Sequence, residues 1–295
     1  MRGPSILAVS LRRGLRRPTL SRSRLGSLVI FLFLALLSAF MVLPAVYSFV
    51  QSIKPMEELF IYPPRFFVSR PTFENFLTAL SLADNLWIPF SRYAFNSVFI
   101  SGLGTFLYIF IASLAAYPLA KSKMPGKTVL SRIIVFTMLF NATATAIPQY
   151  IVMTKLQIID TYLAAILPLM AQTVGVFLMQ QFITSSLPDS TLEAARIDGA
   201  SEFRIFFRIV MPSVKPGWLT LLIFTFQRYW SNSSPLIYSE ELKQITSVLS
   251  SVAAGGIARA GAGAAVSILL MIPPLLIFIY SQSSVMETMS HSGLK

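Results

Sequence analysis

LPDSTLEAARIDGASEFRIFFRIVMPSVKPG, residues 187–217, mixes charged, small and aromatic residues between two long apolar runs. Its spacing predicts two short helices around a glycine. Ser190 stands three residues before Glu193, the spacing of a capping box that would open the first helix. Ser186 or Asp189, with Pro188 in the first turn, is the alternative start. Ala194 and Ala195 give this helix a small-residue face that another protein can approach closely. Gly199 is placed to end it at positive φ, and Ser201 to cap the next. Phe203, Phe206, Phe207 and Val210 follow at i, i+3, i+4 and i+7, an apolar stripe, while Arg204 and Arg208 share a face suited to water or lipid headgroups. Pro212 and Pro216 close the second helix.

Outward from this stretch the chain becomes strongly apolar. Of its 295 residues 55% are hydrophobic and only 12% charged, against roughly 25% charged in a soluble domain. Mean hydropathy is +0.68. Such a composition cannot hide its apolar side chains in one core and keep a wettable surface, which excludes an ordinary soluble enzyme and a disordered region alike. Six apolar runs, 25–50, 93–120, 133–154, 161–183, 217–238 and 260–286, each exceed the ~20 helical residues that cross a ~30 Å hydrocarbon core. In lipid the backbone satisfies its own hydrogen bonds, so each run is read as a helix, with Pro44, Pro148, Pro168, Pro273 and Pro274 tolerated as kinks. The expected class is all-α, a polytopic membrane protein with six transmembrane helices. The first run is too long for a signal-peptide core and no small-residue cleavage site follows it, so it is read as an uncleaved span.

The 24 Lys and Arg residues exceed the 12 Asp and Glu by +12, and their placement explains most of that excess. Seven arginines precede the first run; Lys121, Lys123, Lys127 and Arg132 follow the second; Arg196, Arg204, Arg208 and Lys215 lie between the fourth and fifth; Lys295 ends the chain. The opposite side holds only Lys54, Arg65, Arg70, Arg92, Lys155, Lys243 and Arg259. The positive-inside rule puts the first set, including both termini, in the cytoplasm. The organisation is then a basic tail 1–24, a membrane domain 25–286 with a cytoplasmic loop 184–216, and a tail 287–295. No nucleic-acid partner is needed to account for the charge. The outer segments 51–92 and 239–259 read as loops with interfacial pieces. Cysteine is absent and His291 is the sole histidine, so no catalytic residue and no metal ligand set is assigned.

At 193–212 the residues become specific. Glu193, Ala194, Ala195, Gly199, Ile209 and Pro212 stand at the spacing of the coupling motif of ATP-binding-cassette importer permeases, and Asp198 and Ala200 extend the match in the form common among carbohydrate importers. Met211 departs from the usual leucine. The chain resembles the carbohydrate-uptake branch of type I importers, similar to the six-span maltose permease subunit. That resemblance implies a permease subunit in the cell's inner membrane, forming half of a translocation pathway for a sugar or oligosaccharide. It implies four further protein partners, a second homologous permease, two cytoplasmic ATPase subunits or domains, and an extracytoplasmic solute-binding protein, with membrane lipid around this chain. It also implies that the short helix docks on an ATPase. ATP and Mg are then bound by the partners, with no cofactor in this chain. The residues agree: the one phosphate-loop-like string is Gly126-Lys127-Thr128, and the position five before Gly126 is Lys121 rather than glycine.

Arg228 is the single charge inside a predicted span, among Gln227, Trp230 and Asn232. Intramembrane arginine faces a cavity or a partner, so lining a solute path and pairing with a second permease both stand, with snorkelling as the structural alternative. Asn141, Thr143, Thr145, Gln172, Gln180 and Gln181 are further polar positions in the third and fourth runs; such residues are more often interhelical contacts. Two other readings remain: the same machine for a non-carbohydrate solute, and a stand-alone secondary transporter, which would want acidic or histidine residues inside the spans.

Overall fold

In a computed structural model the described residues are 24–84, 88–140 and 142–292; they form helices joined by turns, with no strand among them. The expectations for residues 1–23, Asn141 and Lys295 lie outside the described residues. The chain divides into residues 1–48 and 49–295. The first unit holds most of α1 (Arg24–Ser52), a 29-residue helix apolar on every side, with Pro44 inside it. A helix without a polar face cannot sit at a water interface and suits hydrocarbon.

The second unit contains α2 (Met56–Leu59), α3 (Glu74–Asp84), α4 (Phe90–Lys121), α5 (Lys127–Thr137), α6 (Ala142–Lys155), α7 (Tyr162–Met170) and α8 (Val174–Ser186). It continues with α9 (Asp189–Ile197), α10 (Glu202–Ser213), α11 (Lys215–Ser231), α12 (Ile245–Ala253) and α13 (Ala260–Ser292). Among the described residues three helices, in α1, α4 and α13, are individually long and apolar enough to span. The number becomes five if two bent pairs each count as one: α7 with α8, bent by 48°, and α10 with α11, bent by 77°.

The run at 133–154 is therefore not one helix. Met138, Leu139 and Phe140 bond back to the carbonyls three residues earlier, so the ladder tightens and α5 ends before α6 begins. The run at 217–238 is helical only to Ser231; beyond it Asp160 fastens the chain, its carboxylate accepting the amides of Tyr238 and Ser239 at 2.9 Å each. Asp160 lies at φ 59, and its carboxyl is held below the ordinary carboxylate range first by the Ser239 hydroxyl, then by these amides.

α4 is the central element, packed against α8 and α11, while α11 also packs on α13. Glycine makes these contacts close. A β-carbon at Gly104 would stand 2.7–2.9 Å from the ring of buried Tyr229, and one at Gly175 would stand 2.5–2.7 Å from Tyr108. Asn96, buried in α4, is well partnered: its amide donates to the carbonyls of Glu241 and Lys243 at 2.8 and 2.9 Å and accepts from Tyr162 at 2.8 Å. Buried polar side chains are retained at low cost when bonded in this way.

Candidate functional site

The loop at 187–217 is fastened by its apolar residues. Leu187, Leu192, Ile205, Phe206, Val210 and Val214 are buried in one cluster with Ala112, Ala116 and Tyr117 of α4 and Met179 and Ile183 of α8. The predicted stripe is split. Phe206 and Val210 face the core, but Phe203 and Phe207 are exposed, and Ile205 takes an inward position. A π turn at Phe206–Val210 causes this: Met211 N–H bonds to the Phe206 carbonyl five residues back. Pro212 follows without an N–H, so the ordinary bond to the Arg208 carbonyl cannot form.

α9 starts at Asp189 with Pro188 before it, and no side chain caps it. The Ser190–Glu193 capping box is not formed, because Ser190 already lies inside the helix; Glu193 is exposed and free of a capping role. Asp189 occupies the first turn instead, where a negative charge complements the exposed amides. The C-terminal end agrees with the expectation. Gly199 has φ +76, Gly199 N–H bonds to the Arg196 carbonyl at 3.0 Å, and Ala200 N–H bonds to that of Ala195 at 3.0 Å, a Schellman ending. Ala195 and Ala200, which flank that ending, pack against the core cluster. The expected small-residue face therefore divides: Ala195 is turned inward, and Ala194 is exposed beside Glu193 and Ile197. Ile197 is 85% exposed, an apolar side chain presented outward that sequence reasoning passed over. Asp198 stands at the C-cap of the helix, Ile209 is half-buried on the core, and Pro212 is exposed, its carbonyl accepting the Val214 amide.

Two polar contacts tie the loop to the end of α4. Lys121 donates to Asp189 at 2.8 Å. Tyr117 donates to Glu202 at 2.7 Å, and the same carboxylate accepts Arg196 at 2.7 Å. Lys121 beside Asp189 holds that carboxyl below its usual range, and Arg196, then Tyr117, do the same for Glu202. Glu202 thus joins α9, α10 and α4 at one point. A cleft of about 330 Å³ lies here, lined by Leu114, Tyr117, Pro118, Arg196, Glu202 and Phe203. None of these tethering residues belongs to the sequence motif. Lys127, of the phosphate-loop-like string, donates to the carbonyl of Ala120, securing the start of α5.

The second set of candidates lies at the other end of α11. Arg228 is exposed and donates to the Gln172 side chain, in the break between α7 and α8. Gln227 is exposed next to it. Trp230 points elsewhere: it is buried, stacked on Phe226 at 5.7 Å, and donates to the Leu270 carbonyl of α13 at 2.8 Å. Asn232, half-buried, follows the helix, and its carbonyl accepts Thr246. Gln180 donates to the Leu119 carbonyl and Ser131, as interhelical glue, whereas Gln181 is exposed.

Residues 108–281 match the family described as binding-protein-dependent transport system inner membrane component, a span that includes the loop and both bent helix pairs. The chain belongs to that family. Its members are transport components rather than enzymes, and this one is a multi-pass membrane permease of the ABC importer class. Among its relatives is the polygalacturonan/rhamnogalacturonan transport system permease protein YtcP of Bacillus subtilis. That protein is 29% identical over 284 residues, covering 88% of this chain and 95% of the relative. The sn-glycerol-3-phosphate transport system permease protein UgpE of Pectobacterium atrosepticum is 32% identical over 205 residues, covering 68% and 73% of the two chains. The fold matches a chain of a bacterial ABC transporter involved in the import of the acidic polysaccharide alginate, with a TM-score of 0.76 at 23% identity, over 90% of this chain and 99% of that one.

Proposed function

We propose that this permease imports a sugar or oligosaccharide and that the 187–217 loop is where it meets an ATPase. A single observation supports this reading best: a helix rigidly anchored on one side by Leu187, Leu192 and the Schellman ending presents Glu193, Ala194 and Ile197 outward. Outside lipid, an 85% exposed isoleucine beside a small alanine on a fixed helix suits a docking face. The relatives named for polygalacturonan and glycerol phosphate transport favour a saccharide or a related polyol as solute. In this reading a second homologous permease completes the pathway, a binding protein delivers the solute, and partner subunits bind ATP and Mg. Six spans would place both termini and this loop in the cytoplasm of an inner membrane, with the broken 133–154 region as the third crossing.

Ala194→Trp tests the docking face without touching the core. In a reconstituted complex it should leave membrane insertion and pairing with the second permease intact while abolishing ATP-driven uptake. Cysteines at Ser201 and Ser122 should label only from the cytoplasm, and one at Ser69 only from outside. Normal uptake in the Ala194→Trp complex, or labelling of position 201 from outside, would remove the docking assignment.

A further inference from the structure

We infer that Arg228 forms a charge-recognising subsite at membrane depth, and that the solute carried by this permease is an anion: a sugar or polyol bearing a carboxylate or phosphate. The inference rests on the importer reading above.

Depth comes first. Gln172 stands at the midpoint of the fourth apolar run, 161–183. Arg228 lies about 20 Å along α11 from Lys215 at 1.5 Å per residue, inside a hydrocarbon layer of ~30 Å. The guanidinium meets Gln172 there, in the break between α7 and α8.

Exposure comes second. Phe224, Gln227, Arg228 and Ser231 are exposed at i, i+3, i+4 and i+7, so three of the four positions on the open face of this end of α11 are polar. The exposed face of α13 differs: it carries Met271, Ile272, Leu275, Leu276 and Ile279, with the aromatics Phe278 and Tyr280 beside them. Such a largely apolar face suits lipid, while a face carrying Gln227, Arg228 and Ser231 suits a polar cavity.

Charge comes third. The guanidinium carries five N–H donors. Gln172 is a neutral acceptor, and among the described residues no carboxylate stands within ion-pair distance of Arg228. The six apolar runs contain no Asp or Glu. Lys121, Arg196 and Lys243, by contrast, each have a carboxylate. A cation at this depth, exposed on a polar face and left un-neutralised by its own chain, is complementary to a passing anion. Its planar fork matches the two oxygens of a carboxylate or phosphate.

The test uses the complete transporter, with its binding protein, in proteoliposomes. Uptake is measured for a panel of uronate-terminated oligosaccharides, sugar phosphates and glycerol phosphate, each beside its methyl ester or dephosphorylated counterpart. Wild type should carry at least one anion, and carboxylate against phosphate uptake identifies the group recognised. Arg228→Gln should lower uptake of that anion about tenfold to a hundredfold, the value of a charge-assisted contact, while still co-purifying with the second permease. Arg228→Lys, which keeps charge without the fork, should fall between the two. ATP-dependent uptake of neutral members alone overturns the inference and leaves the importer reading standing. So does anion uptake within twofold of wild type in Arg228→Gln. Loss of co-purification in that variant also overturns it, because the guanidinium would then be satisfied by the partner. No ATP-dependent uptake of any member would overturn the importer reading itself.

Discussion

The loop at 187–217 and the far end of α11 both carry arginine beside polar residues, yet they treat the charge in opposite ways. In the loop, Arg196 is matched by Glu202, which also accepts Tyr117, so charge serves to fix one helix against another. At the end of α11, Arg228 donates to the neutral Gln172 and has no carboxylate within ion-pair distance among the described residues, and the fixing is done by aromatics: Tyr229 against Gly104, with its hydroxyl on the Ile166 carbonyl at 2.8 Å, and Trp230 against α13. The difference teaches where a charge is spent on structure and where it is left available. Outside the bilayer an ion pair costs little to desolvate, so it can act as a tether. Within it, apolar packing and neutral hydrogen bonds hold the fold, and Arg228 is left without a carboxylate among the described residues, which is what the anion proposal rests on.

The contrast is sharpest at Gly199. Its φ of +76 is strained for any other residue, although a β-carbon there would meet nothing within 4 Å. Gly199→Val should therefore misaim α9 by backbone strain alone, a cost of about 1–3 kcal/mol. The expected result is an inserted, assembled complex with solute-stimulated ATPase reduced about tenfold or more. Unchanged stimulation would mean that the aim of α9 does not matter.

Gly104→Leu probes the aromatic half of the comparison. The added atoms would run into the Tyr229 ring, which is fully buried, so the permease should lose about 1–3 kcal/mol of stability from overpacking. Thermal unfolding in detergent measures it; an unshifted transition would show that Tyr229 moves freely.

Glu202→Gln keeps shape but removes the charge joining α4, α9 and α10. The pair is partly exposed, so a loss of about 1 kcal/mol or less is expected. The sign of the pH effect follows from the lowered Glu202 carboxyl: its stabilisation is present above the ordinary value of 4.5 and is lost as pH falls through the lower folded value. Stability of the wild type minus that of Glu202→Gln should thus be flat from pH 7 to 5 and shrink only below 4.5. A difference that vanishes near neutrality would contradict the tether.

Lys121→Met should have the smallest effect, because Asp189 is largely exposed and water can replace its partner. Uptake at physiological salt should stay within about twofold of wild type. A larger loss would make this contact, rather than Glu202, the main tether.

Much of this protein is a one-dimensional property. Length of apolar run, absence of Asp and Glu within those runs and the spacing from Glu193 to Pro212 are readable directly, because hydrocarbon thickness and helical rise are constants and a spaced motif is local. Gly199 is legible for the same reason: a positive φ is a property of one residue. Tertiary structure decided the rest. Which of Ala194 and Ala195 faces outward, which phenylalanines of 203–207 are buried, and which polar residue of 227–232 remains open depend on a π turn, on proline's missing donor and on packing partners more than sixty residues away in sequence, such as Ile166 for Tyr229. Periodicity assumes an unbroken helix of 3.6 residues per turn. Where the helix is broken or widened, faces rotate, and only the fold shows which side chain the rotation leaves exposed.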